Sequence, residues 1–154
     1  MVLHPGRAPS SIFGANMAFK RTVFTQVGFF RTDLGVQGDK PFLAEESELV
    51  RRLVMAGKRI VYTPDAIVHH KVPAEHMRLS YFRRKRFYQG RSQRLMNDDH
   101  PGSWHIPPTW LVRECISHGM GALKAKMVRQ HEQSIQRELQ FWTQLGQIVG
   151  AFRA

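Results

Sequence analysis

"AEESELVRRLVMAGKRIVYTPDAIVHHKV", residues 44–72, opens on two adjacent carboxylates and closes on two adjacent histidines. From Glu45 the apolar positions Leu49, Val50, Leu53 and Val54 recur at helical spacing. Glu45, Glu46 and Glu48 crowd the first turn, where negative charge meets the positive end of the helix dipole, and Gly57 supplies a stop. The pattern predicts a helix that starts at Glu45. "KRIVYT" then alternates as a strand, and Pro64 interrupts it. "AIVHH" predicts a second short strand, with Ile67 and His69 on one face and Val68 and His70 on the other. On that register the two histidines do not share one role.

On the N-terminal side, "IFGANMAFKRTVF" predicts a strand entered through a Gly-Ala-Asn turn, and "RTVFTQVGFF" a short helix that Gly28 ends. "RTDLGVQGDKP" reads as a loop. The chain changes character near Pro73. "MRLSYFRRKRFYQGRSQRLM" carries seven bases from Arg78 to Arg94 and no acid, interleaved with Tyr81, Phe82, Phe87 and Tyr88, which predicts a basic helix with an aromatic side. "NDDHPGSWHIPP" is a loop by composition. From Trp110 two helices are expected, broken around "SHGMG", the second with Ile135, Leu139, Trp142, Leu145, Val149 and Phe152 on one stripe. Such a stripe needs a core, a partner helix or a membrane surface against it.

The 154 residues, 42% of them hydrophobic, suffice for one domain with a core. A formal charge of +11 attracts anionic partners: nucleic acid, a membrane surface or phosphorylated small molecules. The single cysteine, Cys115, excludes an intrachain disulfide and a cysteine-rich zinc site, so a cytoplasmic setting is the default expectation. "MVLHPGRAPSS" lacks the apolar centre of a signal peptide, and no run approaches the roughly 18 apolar residues of a membrane span. Walker and GxGxxG loops are absent, as are nucleic-acid-binding signatures. A basic module for nucleic acid or anionic membrane therefore stands as an alternative on charge alone, and no specific nucleic acid is expected.

Taken singly, the polar features admit plain explanations. Glu45 and Glu46 at a helix start gain roughly 0.3–1 kcal/mol each from the dipole. One of them could equally serve as a general base toward a hydroxyl within hydrogen-bond reach. His70 could be hydrogen-bonded structure or a metal ligand. The bases from Arg78 to Arg94 could form a solvated face or bind phosphates.

In order, "GANMAFKRTVFTQVGFF", "AEESELVRRLVMAGKRIVYTPDAIVHHKV" and "YFRRKRFYQGRS" resemble the C-terminal half of a family 2 glycosyltransferase of GT-A fold, over roughly residues 10 to 95. The landmarks are Gly14, Asn16, Met17, Ala18, Phe19, Gly28, Phe30, Glu45, Leu49, Arg52, Leu53, Gly57, Tyr62, Pro64, Ala66 and His70. The resemblance implies an α/β fold: a partial GT-A, Rossmann-like domain with a short mixed sheet and flanking helices, followed by C-terminal amphipathic helices. It divides the chain into an acceptor-side half over residues 1–95 and a loop with helical extension over 96–154.

The function so implied is metal-assisted transfer of a sugar, with inversion, from a nucleotide-sugar donor to a hydroxyl of a carbohydrate or lipid-linked acceptor. Glu46 stands where the family has its general base, and Glu45 would help hold the acceptor or the base. His70 stands at a metal-ligand position for Mn2+ or Mg2+. Gly14 and Asn16 would lie beside donor sugar and acceptor, and Arg91 and Ser92 near the diphosphate leaving group. Lipid-linked acceptors in similar enzymes add an expectation of peripheral contact at the inner face of the membrane.

Two departures qualify the match. Position 46 is Glu where the family has Asp, which moves the carboxylate by about an ångström, a shift that can cost much rate. No Asp-x-Asp occurs anywhere, although the family's first half uses that motif to grip the metal. The expectation is a fragment that lacks about a hundred residues of a usual α/β domain. Its N-terminal nucleotide-binding half would lie in the same or another chain, and the isolated piece would be inactive.

Overall fold

The computed structural model describes residues 14–97 and 106–152. They divide into two compact units, residues 14–35 with 44–72, and residues 36–43 with 73–97 and 106–152.

The first unit is built on two helices, α1 (Thr22–Val27) and α2 (Glu45–Met55). Gly28 ends α1 as expected, at φ 79°, a conformation that costs glycine little because it has no Cβ. α2 begins at the predicted residue and buries Leu49, Val50 and Leu53 on the predicted stripe, with Leu34 beside them in the core. Around α1, Phe24 stacks on Phe29 at 5.3 Å between centroids, and Phe19 meets Phe30 edge-on at 6.0 Å.

Among the described residues the strands expected on either side of α2 do not form; Ile12 and Phe13, where the first was expected to begin, lie outside them. Gly14–Asn16 is a single 3-10 turn, followed by irregular backbone to Lys20. Between Lys58 and Val72 only Val61 keeps a bridge position, and every residue from 61 to 70 is exposed. A strand is stable only beside another that takes up its N–H and C=O groups. Here the backbone turns on itself instead, with Ala66 N–H donating to Thr63 O at 3.3 Å and Ile67 N–H to Asp65 O at 3.1 Å. The alternation that was expected to separate His69 from His70 therefore does not apply.

In place of a short mixed sheet, the described residues hold one antiparallel pair, β1 (Val36–Gln37) with β2 (Lys40–Pro41), in the stretch expected as a loop. Val36 faces Pro41 and Gln37 faces Lys40 across a Gly38-Asp39 turn.

That hairpin belongs to the second unit, whose body is three helices: α3 (Leu79–Asn97), α4 (Thr109–Met127) and α5 (His131–Ala151). α4 runs unbroken through "SHGMG", and the break falls at 128–130, where Arg129 takes φ 58°. The glycines serve packing there: Gly119 and Gly121 leave room for Phe141 and Arg137 of α5.

α5 packs against both neighbours. Pairings of Cys115 with Phe141 and Ala122 with Ser134 show α4 antiparallel to it. Arg83 with Glu138 and Gln93 with Gln147 show α3 parallel to it. The α3–α5 crossing is close because glycines meet backbone: a Cβ on Gly90 would overlap the Thr143 carbonyl oxygen, and one on Gly146 that of Phe87. The expected stripe on α5 is thereby largely used, with Leu139, Trp142, Leu145 and Val149 half-buried.

No helix among the described residues is long and apolar enough to cross a membrane.

Candidate active site

Three pieces of the first unit converge at the start of α2. Ala44, the residue before the helix, sits at φ 79° and ψ 7°, a left-handed conformation that costs an L-residue roughly 1–2 kcal/mol. Its carbonyl accepts the Glu48 N–H at 2.9 Å, and no side chain caps the helix. The left-handed residue turns the chain sharply into the acidic pair.

From there the two carboxylates approach two glycines. The Glu46 carboxyl lies so close over Gly14 that a Cβ on that residue would overlap it. Glu45 lies over Gly35, its Cδ 3.1 Å from where a Cβ would stand. Gly35 is at φ 80°, which glycine takes at little cost, and a Cβ there would press on the Glu45 carboxyl. Sequence reasoning passed over Gly35; its signal was a glycine in a turn-rich run, ten residues before the pair.

Burial pushes the Glu45 carboxyl above its ordinary range, and repulsion from Glu46 adds to this, against backbone hydrogen bonding that pulls the other way. Glu45 Oε2 is buried without a hydrogen-bond partner among the described residues. A proton is therefore held more readily on Glu45 than on a solvated glutamate.

Beneath the pair lies a network that the sequence shows only as an i,i+4 spacing. Glu48, 2% exposed, takes Arg52 bidentately, with Nε–Oε1 at 2.8 Å and Nη2–Oε2 at 2.7 Å. The same guanidinium donates to the carbonyls of Val27 and Phe29, Phe29 at 2.7 Å, which ties the end of α1 to the shaft of α2. Asn16 Nδ2 donates to Ala66 O at 2.6 Å and pins the Gly14–Asn16 turn to the Thr63–Ala66 turn. Gly14 and Asn16 thus stand on one hydrogen-bonded pair of turns, and Glu45 and Glu46 at the head of the helix that Arg52 ties to α1.

His70 is exposed on the irregular segment that follows. Among the described residues no three His, Cys, Asp or Glu side chains gather as a metal site. A single imidazole does not by itself make a divalent-cation site.

Arg91 and Ser92 lie in the second unit, buried on α3. Ser92 Oγ donates to Tyr88 O at 2.9 Å and accepts the Leu43 N–H at 2.8 Å. The Arg91 guanidinium stacks over Phe42 at 4.9 Å and Tyr88 at 5.6 Å. Others of the basic run are also engaged within this unit: Arg83 with Glu138 at 2.7 Å, and Arg84 with Asp39.

Paired carboxylates at a helix start, over a glycine turn, can take a proton from a hydroxyl brought within reach. Against known sequences, the family profile described as "Glycosyl transferase family group 2" matches residues 3–149. The chain belongs to that family. This family 2 glycosyltransferase is 35% identical over 86 residues to the glucosyl-dolichyl phosphate glucuronosyltransferase of Haloferax volcanii, a match covering 55% of this chain. The match spans 28% of that relative's length. No solved structure was found to match the glycosyltransferase chain.

Proposed function

We propose that these residues form the acceptor side of an inverting, GT-A nucleotide-sugar glycosyltransferase, with Glu46 as general base. The supporting observation is the placement of the half-buried Glu46 carboxyl against Gly14, in the space a Cβ would fill, which sets it at the turn that carries Gly14 and Asn16. In the reaction the acceptor oxygen attacks the anomeric carbon, the bond from that carbon to the diphosphate oxygen breaks, and the hydroxyl proton passes to Glu46. Attack opposite the leaving group inverts the centre. Glu45, whose carboxyl burial pushes above its ordinary range, stands beside the base and would help hold the acceptor or the base.

The acceptor is a sugar on a lipid phosphate, the class named for the Haloferax relative. The donor-binding half lies in other residues of the same or another chain, in keeping with the 28% of the relative that the match spans. His70 would give Mn2+ or Mg2+ one ligand, the rest coming from that half.

Two experiments test the reading. Glu46→Gln, made in the chain together with its donor-binding half, should reduce transfer by about 10²–10⁴-fold with donor affinity nearly unchanged. Wild-type turnover in that variant would remove Glu46 from the role. Calorimetry of the isolated chain with nucleoside diphosphates and Mn2+ should show no micromolar binding; a micromolar isotherm would overturn the division into halves.

A further inference from the structure

α4 is apolar on two opposite sides. Leu111, Cys115 and Ala125 are buried, and the contacts of Cys115 and Ala122 place that side against α5. At 100° per residue, the opposite side carries Ile116, Met120, Leu123 and Met127, spaced i, i+4, i+7 and i+11. These are 54%, 64%, 59% and 77% exposed. Arg113 and Lys124 flank the stripe on one edge and Lys126 on the other. The helix has one acid, Glu114, which accepts a hydrogen bond from Gln144 of α5 at 2.9 Å.

We infer that this outward stripe of α4 lies in the headgroup layer of an anionic lipid bilayer. The charge decides among occupants. A second copy would bring Arg113, Lys124 and Lys126 against their own equivalents within a chain of net charge +11, a like-charge juxtaposition that opposes association. An anionic bilayer satisfies both halves of the pattern: acyl chains take the apolar side chains, and lipid phosphates take the rim. Too polar to span, the helix lies in the plane of the surface. The α5 stripe, for which a membrane was one of three alternatives, is half-buried at Leu139, Trp142, Leu145 and Val149, whereas the outward side of α4 is exposed along its length. The inference needs no sugar-transfer activity and stands apart from the catalytic reading.

The test is co-sedimentation of the full chain with vesicles of phosphatidylcholine and phosphatidylglycerol, beside vesicles of phosphatidylcholine alone. The wild type should pellet with the anionic vesicles and remain mostly in solution with the neutral ones. Met120→Glu with Leu123→Glu should lower vesicle partitioning by at least about tenfold, since two apolar side chains leave the interface. Both positions face solvent, so helical circular dichroism should be unchanged. Lys124→Glu with Lys126→Glu keeps the stripe intact and should lower binding to anionic vesicles alone, which guards against loss of fold in the first variant. Equal binding by the Met120/Leu123 variant overturns the inference, as does a wild type that never pellets. A wild-type dimer made monomeric by that variant, with vesicle binding untouched, would assign the stripe to a second copy and overturn it equally.

Discussion

Glu45 and Glu46 are neighbours in sequence, yet their carboxyls lie over different glycines, and burial with mutual repulsion raises the pKa of Glu45 above its ordinary 4.5. A group with a raised folded-state pKa contributes stability in full below the unfolded value and loses it as pH climbs through the folded one. Wild-type stability should therefore decline as pH rises from 4.5 through the raised value of Glu45. Glu45→Gln removes that titration: denaturant unfolding should find the variant more stable than wild type near neutral pH, with the difference gone in acid. A difference that stays constant with pH would show that Glu45 is solvated. The signal for a special pair was present in the sequence as two adjacent acids. Which of them is desolvated was not, because Gly35 reaches Glu45 only once the chain has turned at Ala44.

At the scale of elements, α2 is held by a pair that is costly to break. Arg52 joins the buried Glu48 to the carbonyls of Val27 and Phe29, and its removal leaves an uncompensated carboxylate in the core. Arg52→Ala should destabilise the chain by about 3 kcal/mol, the lower end of the range for broken buried pairs because the Arg52 side chain is 26% exposed. A chemical-denaturation midpoint that does not move would rule out the network.

The α3–α5 crossing makes an opposite-signed case. Gly146→Ala improves helix propensity by about 1 kcal/mol, but the new Cβ would overlap the Phe87 carbonyl and force the helices apart at about 1–3 kcal/mol. The clash should win or at best break even, so thermal unfolding of the variant should show no gain in Tm. A clearly higher Tm would mean that the helices are not in backbone contact. The basic run on α3 shows the same dependence on neighbours: in sequence it is a charged face, whereas folded, Arg83, Arg84 and Arg91 are engaged by Glu138, Asp39 and the rings of Phe42 and Tyr88.

Across the whole molecule, ordered backbone is unevenly distributed. Helices α3 to α5 close their hydrogen bonds internally, whereas residues 62–72 have turn bonds in place of a ladder and lie exposed to residue 72. Hydrogen exchange should therefore label residues 62–72 early and the centres of α4 and α5 late, by several orders of magnitude. Comparable protection in both would indicate strand pairing of the kind the alternation in "KRIVYT" and "AIVHH" suggested. What the sequence determined by itself is whatever local physics controls. The start of α2 at clustered acids, its buried stripe, the end of α1 at Gly28 and the order of motifs that marks a family 2 glycosyltransferase all depend on residues close together in the chain. What the tertiary structure decided is whatever needs a distant partner. A strand pattern becomes a strand only beside another strand, and glycines in "SHGMG" break a helix or admit a neighbour according to what packs there. An apolar stripe is core or surface according to which side α5 covers, and that is why the exposed stripe proved to be on α4.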